Sequence, residues 1–297
     1  MKKLLITGHD GFIGKNLVNA LINKYEIFGV SLNKSPQKIN QIKKNINNLM
    51  VDDIPKKISS IIHLAALTDV DYCQKNPIEC FQANVYGTQN ILEIARKINA
   101  NFIFLSTNHV YGPPKKLPIR EDHPKNPESI YAASKLLSEI ICKTYSKNYG
   151  INVSVIRLFS VYGPNSAKHL VTTKIISQIL NSSSIKLGNL FPKRDFVYID
   201  DVINAIQFIL KKTSGYNEFN VGTGKSHSIL EIYKILKKIS GTQNPITSIK
   251  SKSRKNEIRN IYSNSNKIKK LGWTQKYSLE KGLKTTFNWA LTHDKKI

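Results

Sequence analysis

Residues 4–14 read Leu4-Leu5-Ile6-Thr7-Gly8-His9-Asp10-Gly11-Phe12-Ile13-Gly14, and Ile13, Leu17 and Leu21 follow one another at steps of four. The three apolar residues read as a buried strand, and the i+4 stripe marks an amphipathic helix over residues 14–23. Between them stand three glycines in a G-x-x-G-x-x-G spacing. Glycines permit the tight turn and let backbone N–H groups approach a pyrophosphate at the helix N-terminus. Such a spacing alone is weak evidence. Its place at the first strand–helix turn of the chain makes it a candidate dinucleotide loop.

Working outward, Ile27–Val30, Ile61–Leu64, Phe102–Leu105 and Val153–Ile156 read as further apolar strands. Helical stripes lie between them, one on Ile91, Leu92, Ala95 and Ile98 and another on Leu136, Leu137, Ile140 and Ile141. Apolar strands alternating with helices predict an α/β fold, a doubly wound parallel Rossmann sheet. The pattern changes after Tyr162-Gly163-Pro164, and residues 165–195 are looser and rich in Asn, Ser and Lys. Phe196–Ile199 and a helix from Asp201 to about Leu210 return to the first lobe. Ser228-Ile229-Leu230-Glu231 is a capping box opening a helix with Ile229, Ile232, Leu236 and Ile239 inward. Leu279, Leu283, Phe287 and Leu291 mark the last helix. The expected division is a dinucleotide-binding domain at 1–164, with 196–212 returning to it. A smaller, discontinuous, α-rich substrate-binding lobe takes 165–195 and 213–297.

The chain has 297 residues, 40% of them apolar and 9% aromatic, which excludes disorder as its main state. Its 45 Lys and Arg outnumber 20 Asp and Glu, giving a formal charge of +25. That charge invites a nucleic-acid reading. However, only six of the basic residues are Arg, and the chain carries 40 Ile and 29 Asn. Specific phosphate and base forks favour Arg, so a solvated Lys-rich surface is the expectation, with no nucleic acid as partner. The tail from Gly241 to Ile297 holds thirteen basic and three acidic residues, enough to steer an anionic small molecule. Cys73, Cys80 and Cys142 form no CxxC pair and no metal spacing, so the expected compartment is the reduced cytoplasm and no metal site is expected. The apolar run at residues 4–6 is too short for a signal peptide, and none is long enough for a membrane span.

Val30 is followed by Ser31-Leu32-Asn33-Lys34, with no acid. A carboxylate there would bind the 2′-hydroxyl of NAD and repel the 2′-phosphate of NADP. Ser31, Asn33 and Lys34 are able to accept that phosphate, so NAD and NADP both remain open. Tyr131 and Lys135 stand four residues apart on one helix face. An ammonium beside a phenol favours the phenolate, which makes a base near neutral pH. Thr107, at the end of the Phe102–Leu105 strand, is placed to bond the same substrate oxygen. Gly222-Thr223-Gly224-Lys225-Ser226 looks like the end of a phosphate-binding loop, yet that motif needs a glycine where Phe219 stands. Nucleotide-triphosphate hydrolysis is therefore excluded. The rival from another class is a non-catalytic dinucleotide sensor or a nucleic-acid-binding protein, which predicts a damaged catalytic set.

With these residues in place the chain resembles the extended short-chain dehydrogenase/reductase family, the NAD(P)-dependent nucleotide-sugar epimerases, dehydratases and reductases. The resemblance runs through His63-Leu64-Ala65-Ala66, Asn84-Val85-Tyr86-Gly87-Thr88 and Ser106-Thr107-Asn108-His109-Val110-Tyr111-Gly112. It continues through Arg157–Pro164, Arg194–Asp201, Asn220–Gly224 and Leu271-Gly272-Trp273. It implies that Tyr131 takes the proton from a sugar hydroxyl, usually O4, while Lys135 holds the nicotinamide ribose and Thr107 positions the sugar oxygen. It also implies a dinucleotide held by Gly8, Gly11, Phe12, Ile13 and Gly14, by Asp53 and Ile54 at the adenine, and by Leu64, Ala65 and Ala66. Thr68, Ser160, Lys174, Asn189 and Arg194 fall where substrate is bound, Arg194 either on the diphosphate or in a structural ion pair with Asp195 or Asp200. The family commonly dimerises by packing helices into a four-helix bundle, which implies a homodimer here.

Which reaction follows turns on Asn108 and His109. The family's 4,6-dehydratases carry Asp-Glu there, and an amide cannot donate the proton that elimination requires. His109 is either an acid or base near neutral pH or a hydrogen-bonding residue. Asn after Thr resembles the tyvelose-type sugar epimerases. Leu170–Ile175 and Lys186–Phe196 resemble GDP-mannose dehydratases and the shorter 4-keto-6-deoxymannose reductases. The expectation is an epimerase or a 4-keto-sugar reductase, ahead of a dehydratase.

Overall fold

Apolar strands at residues 3–7, 26–31, 58–63, 101–107 and 153–158 bury almost every side chain, as parallel strands covered on both faces must. They are β1 (Lys3–Thr7), β2 (Glu26–Ser31), β3 (Asn40–Lys43), β4 (Ile58–His63), β5 (Asn101–Thr107) and β6 (Val153–Leu158). The computed structural model describes residues 1–34, 36–212, 214–249 and 257–293. Strand Tyr216–Val221 completes a seven-stranded sheet in which β6, β5, β4, β1, β2 and β3 follow it in order. The pairs from β6 to β3 are parallel. Strand order reverses at β1, the position where open α/β sheets leave a crevice for ligand. The doubly wound Rossmann sheet expected from the sequence is present.

The chain divides into two compact units. The first comprises Met1–Gly112, Glu121–Leu158 and Ile203–Asn220. Its helices include α1 (Phe12–Leu21), α2 (Val70–Lys75), α3 (Pro77–Phe81), α4 (Gly87–Lys97) and α5 (Ile130–Tyr149). The local code is legible at both ends of α5. Ser129 accepts the N–H of Ala132, and Gly150 ends the helix at φ 70°, a left-handed conformation that glycine adopts without strain. One core cluster gathers Leu5, Ile61, Ile91, Leu92, Phe102, Phe104 and Val155, all close to fully buried.

Several sequence expectations shift. Helix α1 begins at Phe12 rather than residue 14, with Gly11 as its extended N-cap. On α5 the apolar stripe is split: Leu137 and Ile140 are 42% and 53% exposed, while Leu136 and Ile141 are half-buried. The buried face instead carries Tyr131, Ser134, Lys135, Ser138, Glu139 and Cys142. Polar bonding partners explain this arrangement, as described below. Strand β3 and helices α2 and α3 carry no strong period and were not anticipated.

The second unit comprises Pro113–Arg120, Phe159–Val202 and Val221–Ile297. The first unit thus ends at Leu158, before the expected break at residue 164, because Ser160–Tyr162 pairs in parallel with Phe196–Tyr198 inside the second. For the same reason 196–202 lie in the second unit, while the return to the first is Ile203–Asn220, which runs past the expected limit at 212 because strand Tyr216–Val221 joins the large sheet. Ile119 joins the second unit by bonding Tyr262 and Asn264. The stretch read as loose contains helix Val171–Asn181, whose Ile175, Ile176 and Ile179 are buried. The Ser228 capping box forms as expected, with both reciprocal bonds made. Ile239 is only partly buried there, and Leu291 on helix Leu279–Thr292 is exposed.

Gly282 lies within that last helix, where alanine ordinarily gains about 1 kcal/mol over glycine. Here a Cβ would overlap the hydroxyl oxygen of Tyr162 and reach the ring of Tyr198 at 2.9 Å. Packing therefore reverses the propensity. Gly282→Ala is expected to destabilise by about 1–3 kcal/mol in denaturant unfolding, and a stabilised variant would refute this contact.

Candidate active site

The end of β1 is fixed by one hydroxyl. Thr7 Oγ1 accepts the N–H groups of Leu64 and Ala65, each at 3.2 Å, so its own proton points to His63 Nδ1 at 2.7 Å. His63 Nε2 then donates to Thr88 Oγ1 at 3.0 Å, and Thr88 donates to the Asn84 carbonyl at 2.6 Å. Burial pushes the His63 imidazole down to about 3, with Lys135 adding repulsion, so the ring is neutral and holds the tautomer this chain of bonds requires.

Beyond β1 the loop is shaped for close approach. Gly8 sits at φ 68°, and a Cβ there would meet the Ala65 nitrogen at 2.8 Å. A Cβ on Gly14 would overlap the Gly8 carbonyl oxygen. The Gly11 cap offers no side-chain bond, and the first turn of α1 carries no acid, so the helix N-terminus is left to an external anion. Phe12 and Ile13 are half-buried there. His9 is fully buried against Gly29, and neither ring nitrogen finds a partner among the described residues. This cradle fits a dinucleotide phosphate.

At the end of β2, the Ser31 hydroxyl donates to the Asn33 carbonyl, while Asn33 and Lys34 are exposed. Asp53 accepts Lys44 at 2.6 Å and the Met50 N–H at 2.7 Å, bonds that hold its carboxyl below the usual range. Buried Ile54 follows it. Leu64, Ala65 and Ala66 are half-buried beyond β4, with Thr68 exposed beside them.

The catalytic candidates converge on the other side of β1. Thr107 ends β5, and its side chain, beside the Tyr131 phenol, acts to lower the pKa of that group. Burial outweighs that influence and pushes Tyr131 up to about 12. One turn further, Lys135 is 3% exposed with Nζ 4.0 Å from the centre of the Phe104 ring. Burial pushes it down to about 8. The lysine was expected to favour the phenolate; the dominant influence on the Tyr131 phenol is instead burial, which favours the neutral form. Asn108 is buried, and His109 stands edge-on to Tyr131 with ring centres 6.0 Å apart. His109 donates its backbone N–H to Thr107 Oγ1 at 3.2 Å. Thr107, His109 and Tyr131 are therefore neighbours, with Lys135 one turn beyond Tyr131 on the same helix.

Sequence reasoning missed what holds these residues. Asn84 bonds Leu67 through both main-chain groups and donates to Ser134 Oγ at 2.9 Å. Ser138 donates to the Asn84 carbonyl at 2.8 Å. Ser134 and Ser138, three residues after Tyr131 and Lys135 respectively, were the available signal.

In the second unit, Arg194 bonds the carbonyls of Lys193 and Ile258 and pairs with Glu257 at 3.6 Å. A structural ion pair was expected with an Asp such as Asp195 or Asp200; the ion pair seen is with Glu257. Asp195 is fully buried and accepts the N–H and hydroxyl of Thr223, the N–H of Gly224, and the N–H and hydroxyl of Ser263. The glycine loop that looked like a phosphate site is thus filled by a carboxylate of the chain itself. Ser160 bonds the Asp195 carbonyl through its N–H, Lys174 is exposed on its helix, and Asn189 Oδ1 accepts the Phe191 N–H. Among the described residues, no group of His, Cys, Asp and Glu is arranged to hold a metal, and no helix is long and apolar enough to cross a membrane.

A model of the GDP-mannose 4,6 dehydratase family matches residues 5–286. The chain is 34% identical to a putative UDP-glucose 4-epimerase of Methanocaldococcus jannaschii, over 98% of this chain and 99% of that one. It is 32% identical to the UDP-glucuronate 4-epimerase of Thermodesulfobacterium geofontis, over 96% and 95%. Among solved structures, the UDP-glucuronic acid 4-epimerase of Bacillus cereus, in complex with UDP-glucuronic acid and NAD, is 29% identical. It superposes with a TM-score of 0.91 over 98% of this chain and 99% of that one.

His63 also sets a dependence on acid. An unfolded histidine takes a proton near 6.5, whereas the folded one resists until about 3. The unfolded state therefore binds more protons between those values, and folding stability falls as pH drops through that window. Comparing wild type with His63→Asn in urea, the stability gap is expected to narrow by about 1.4 kcal/mol per pH unit below about 6. Parallel curves would mean the imidazole is charged in the fold.

Proposed function

The chain belongs to the GDP-mannose 4,6 dehydratase family of extended short-chain dehydrogenases/reductases, enzymes of nucleotide-sugar epimerisation and dehydration, and from that premise we propose that it is an NAD-dependent 4-epimerase of a UDP-linked sugar. The observation that carries the reading is the juxtaposition of buried Thr107 at the end of β5 with Tyr131 and, one turn along α5, Lys135. That arrangement presents a hydroxyl and a phenol to one substrate oxygen, with a cation behind them. The epimerases to which the chain is similar support the outcome, as does Asn108-His109 in place of an acid and base for elimination.

In this reading Tyr131 takes the proton of the sugar O4 and Thr107 orients that oxygen. The dinucleotide, when bound, supplies a reversible hydride acceptor and a positive charge near the phenol. Tyr131 then returns the proton once the carbonyl has been reduced on its other face, giving the inverted alcohol. Lys135 stabilises the phenolate and binds the nicotinamide ribose, and His109, against the Tyr131 ring, bonds the substrate or a neighbouring group. Gly8, Gly11, Phe12, Ile13 and Gly14 would hold the pyrophosphate, and Ser31, Asn33, Lys34, Asp53, Ile54, Leu64, Ala65 and Ala66 the rest of the cofactor. Thr68, Ser160, Lys174, Asn189 and Arg194 are assigned to substrate, Arg194 beside the diphosphate. The second unit is then the substrate-binding lobe, and the cytoplasm is the compartment that fits.

NAD is favoured over NADP because the B. cereus relative was solved with NAD. The exposed apolar side chains of Leu137 and Ile140 on α5, with Tyr86 at 63% exposure, support a homodimer packed through helices.

Incubated with UDP-, GDP-, CDP- and dTDP-hexoses and followed by NMR, the protein is expected to convert a UDP-sugar to its C4 epimer. A 4-keto-6-deoxy sugar as product would overturn the assignment. Tyr131→Phe is expected to lose about 10²–10⁴-fold in kcat, and retained turnover would remove Tyr131 from its role. In light scattering, Ile140→Glu is expected to halve the mass of the particle; an unchanged mass would exclude this face as the dimer contact.

A further inference from the structure

Behind the catalytic helix lies a buried cation that the mechanism does not use. Arg157 of β6 has no exposed surface, yet its guanidinium meets two carboxylates. Nε and Nη2 fork onto Glu139 at 2.8–3.2 Å, and Nη2 also lies 2.6 Å from Glu218. Nη1 donates to the Tyr111 hydroxyl at 2.8 Å and to the Glu121 carbonyl at 3.0 Å. Burial alone would lower the affinity of this guanidinium for its proton, but the bonds to Glu139 outweigh burial and it stays charged.

Glu139 is the member that reaches the active site. It stands four residues beyond Lys135 and eight beyond Tyr131, on the buried face of α5. Its Oε1 accepts the hydroxyl of Ser106 at 2.5 Å, and Ser106 immediately precedes Thr107. Ser106 is paired with Arg157 across the β5–β6 ladder, so strand, helix and guanidinium meet at one carboxylate.

We propose that Glu139 is a positioning residue for Thr107, Tyr131 and Lys135, tying the strand end to the helix and placing a fixed negative charge one turn behind the lysine. The proposal rests on the reading of those three residues as the reacting group. Other titratable groups around Lys135 are His63 on β4, Cys80 on α3, and Tyr131 and Cys142 on α5. His63 is neutral. The Cys142 thiol is pushed up by burial, and so stays uncharged. Glu139 is therefore the carboxylate on that face that helps Lys135 keep its proton against burial. Glu218, the other partner of Arg157, lies on Tyr216–Val221 with Tyr216 and Lys125 and serves as the comparison.

The substrate-free protein, labelled with ¹³C and ¹⁵N in lysine, gives a titration of the Lys135 ammonium once its signal is identified by its loss in Lys135→Met. Glu139→Gln is expected to lower the midpoint by about one pH unit, and Glu218→Gln to leave it in place while lowering Tm. An unmoved midpoint in Glu139→Gln, or an equal shift in both variants, would overturn the proposal. Ser106→Ala keeps every charge and tests the tie to the strand: kcat is expected to fall about tenfold, the effect of one lost hydrogen bond, with KM and the lysine midpoint unchanged. Wild-type kcat in that variant would refute the tie, including in the case where Glu139→Gln does not fold. Because the titration needs no substrate, a protein inactive on every nucleotide sugar would sink the functional reading while the lysine midpoint still judged Glu139.

Discussion

The Thr7 hydroxyl orients the polar interior of the first unit. A hydroxyl has one proton and two lone pairs, and here both lone pairs receive N–H groups from the chain leaving β4. The single proton is thereby committed to His63, which passes the direction on to Thr88 and Asn84. Asn84 in turn binds the serines of α5. The glycine loop and the helix bearing Tyr131 are thus held by one oriented chain of bonds inside a dry interior. In such surroundings a missing partner costs more than a made bond contributes, so the chain is all or none.

The same dryness sets the chemistry. Taking a phenol and an ammonium out of water pushes both toward neutrality, Tyr131 upward and Lys135 downward. Both shifts make the pair sensitive to any charge placed beside it. A charge arriving with a ligand acts in low dielectric, where it is worth several times its value in water. Arg157 follows a different logic. Fully buried and doubly paired, it contributes little net stability relative to an apolar side chain, but removal of one partner leaves a stranded charge. Such a group enforces geometry.

The sheet was legible because parallel strands buried on both faces read as unbroken apolar runs, and the glycine loop because steric demand leaves glycine few substitutes. Tyr131, Lys135 and Thr107 were legible because their chemistry limits residue type and spacing. On helix α5 the apolar stripe does not mark the most buried face. Hydrophobic periodicity assumes that the inward side is the apolar side, and here the inward side is Ser134, Lys135, Ser138 and Glu139, each satisfied by a partner distant in sequence. Long-range polar pairing leaves no local period. The short strands of the second unit were missed for a related reason: a ladder of two or three residues is specified by its neighbour, as with Ser160–Tyr162 on Phe196–Tyr198.

The Gly222-Thr223-Gly224 loop offers a different lesson. Backbone and hydroxyl donors that elsewhere would collect a phosphate converge on Asp195. Its ligand is tethered by the chain, so its local concentration is fixed by covalent structure and owes nothing to the medium. The nest is therefore permanently saturated. Free phosphate has no opening there, because the donors that would hold it are already engaged by the chain's own carboxylate.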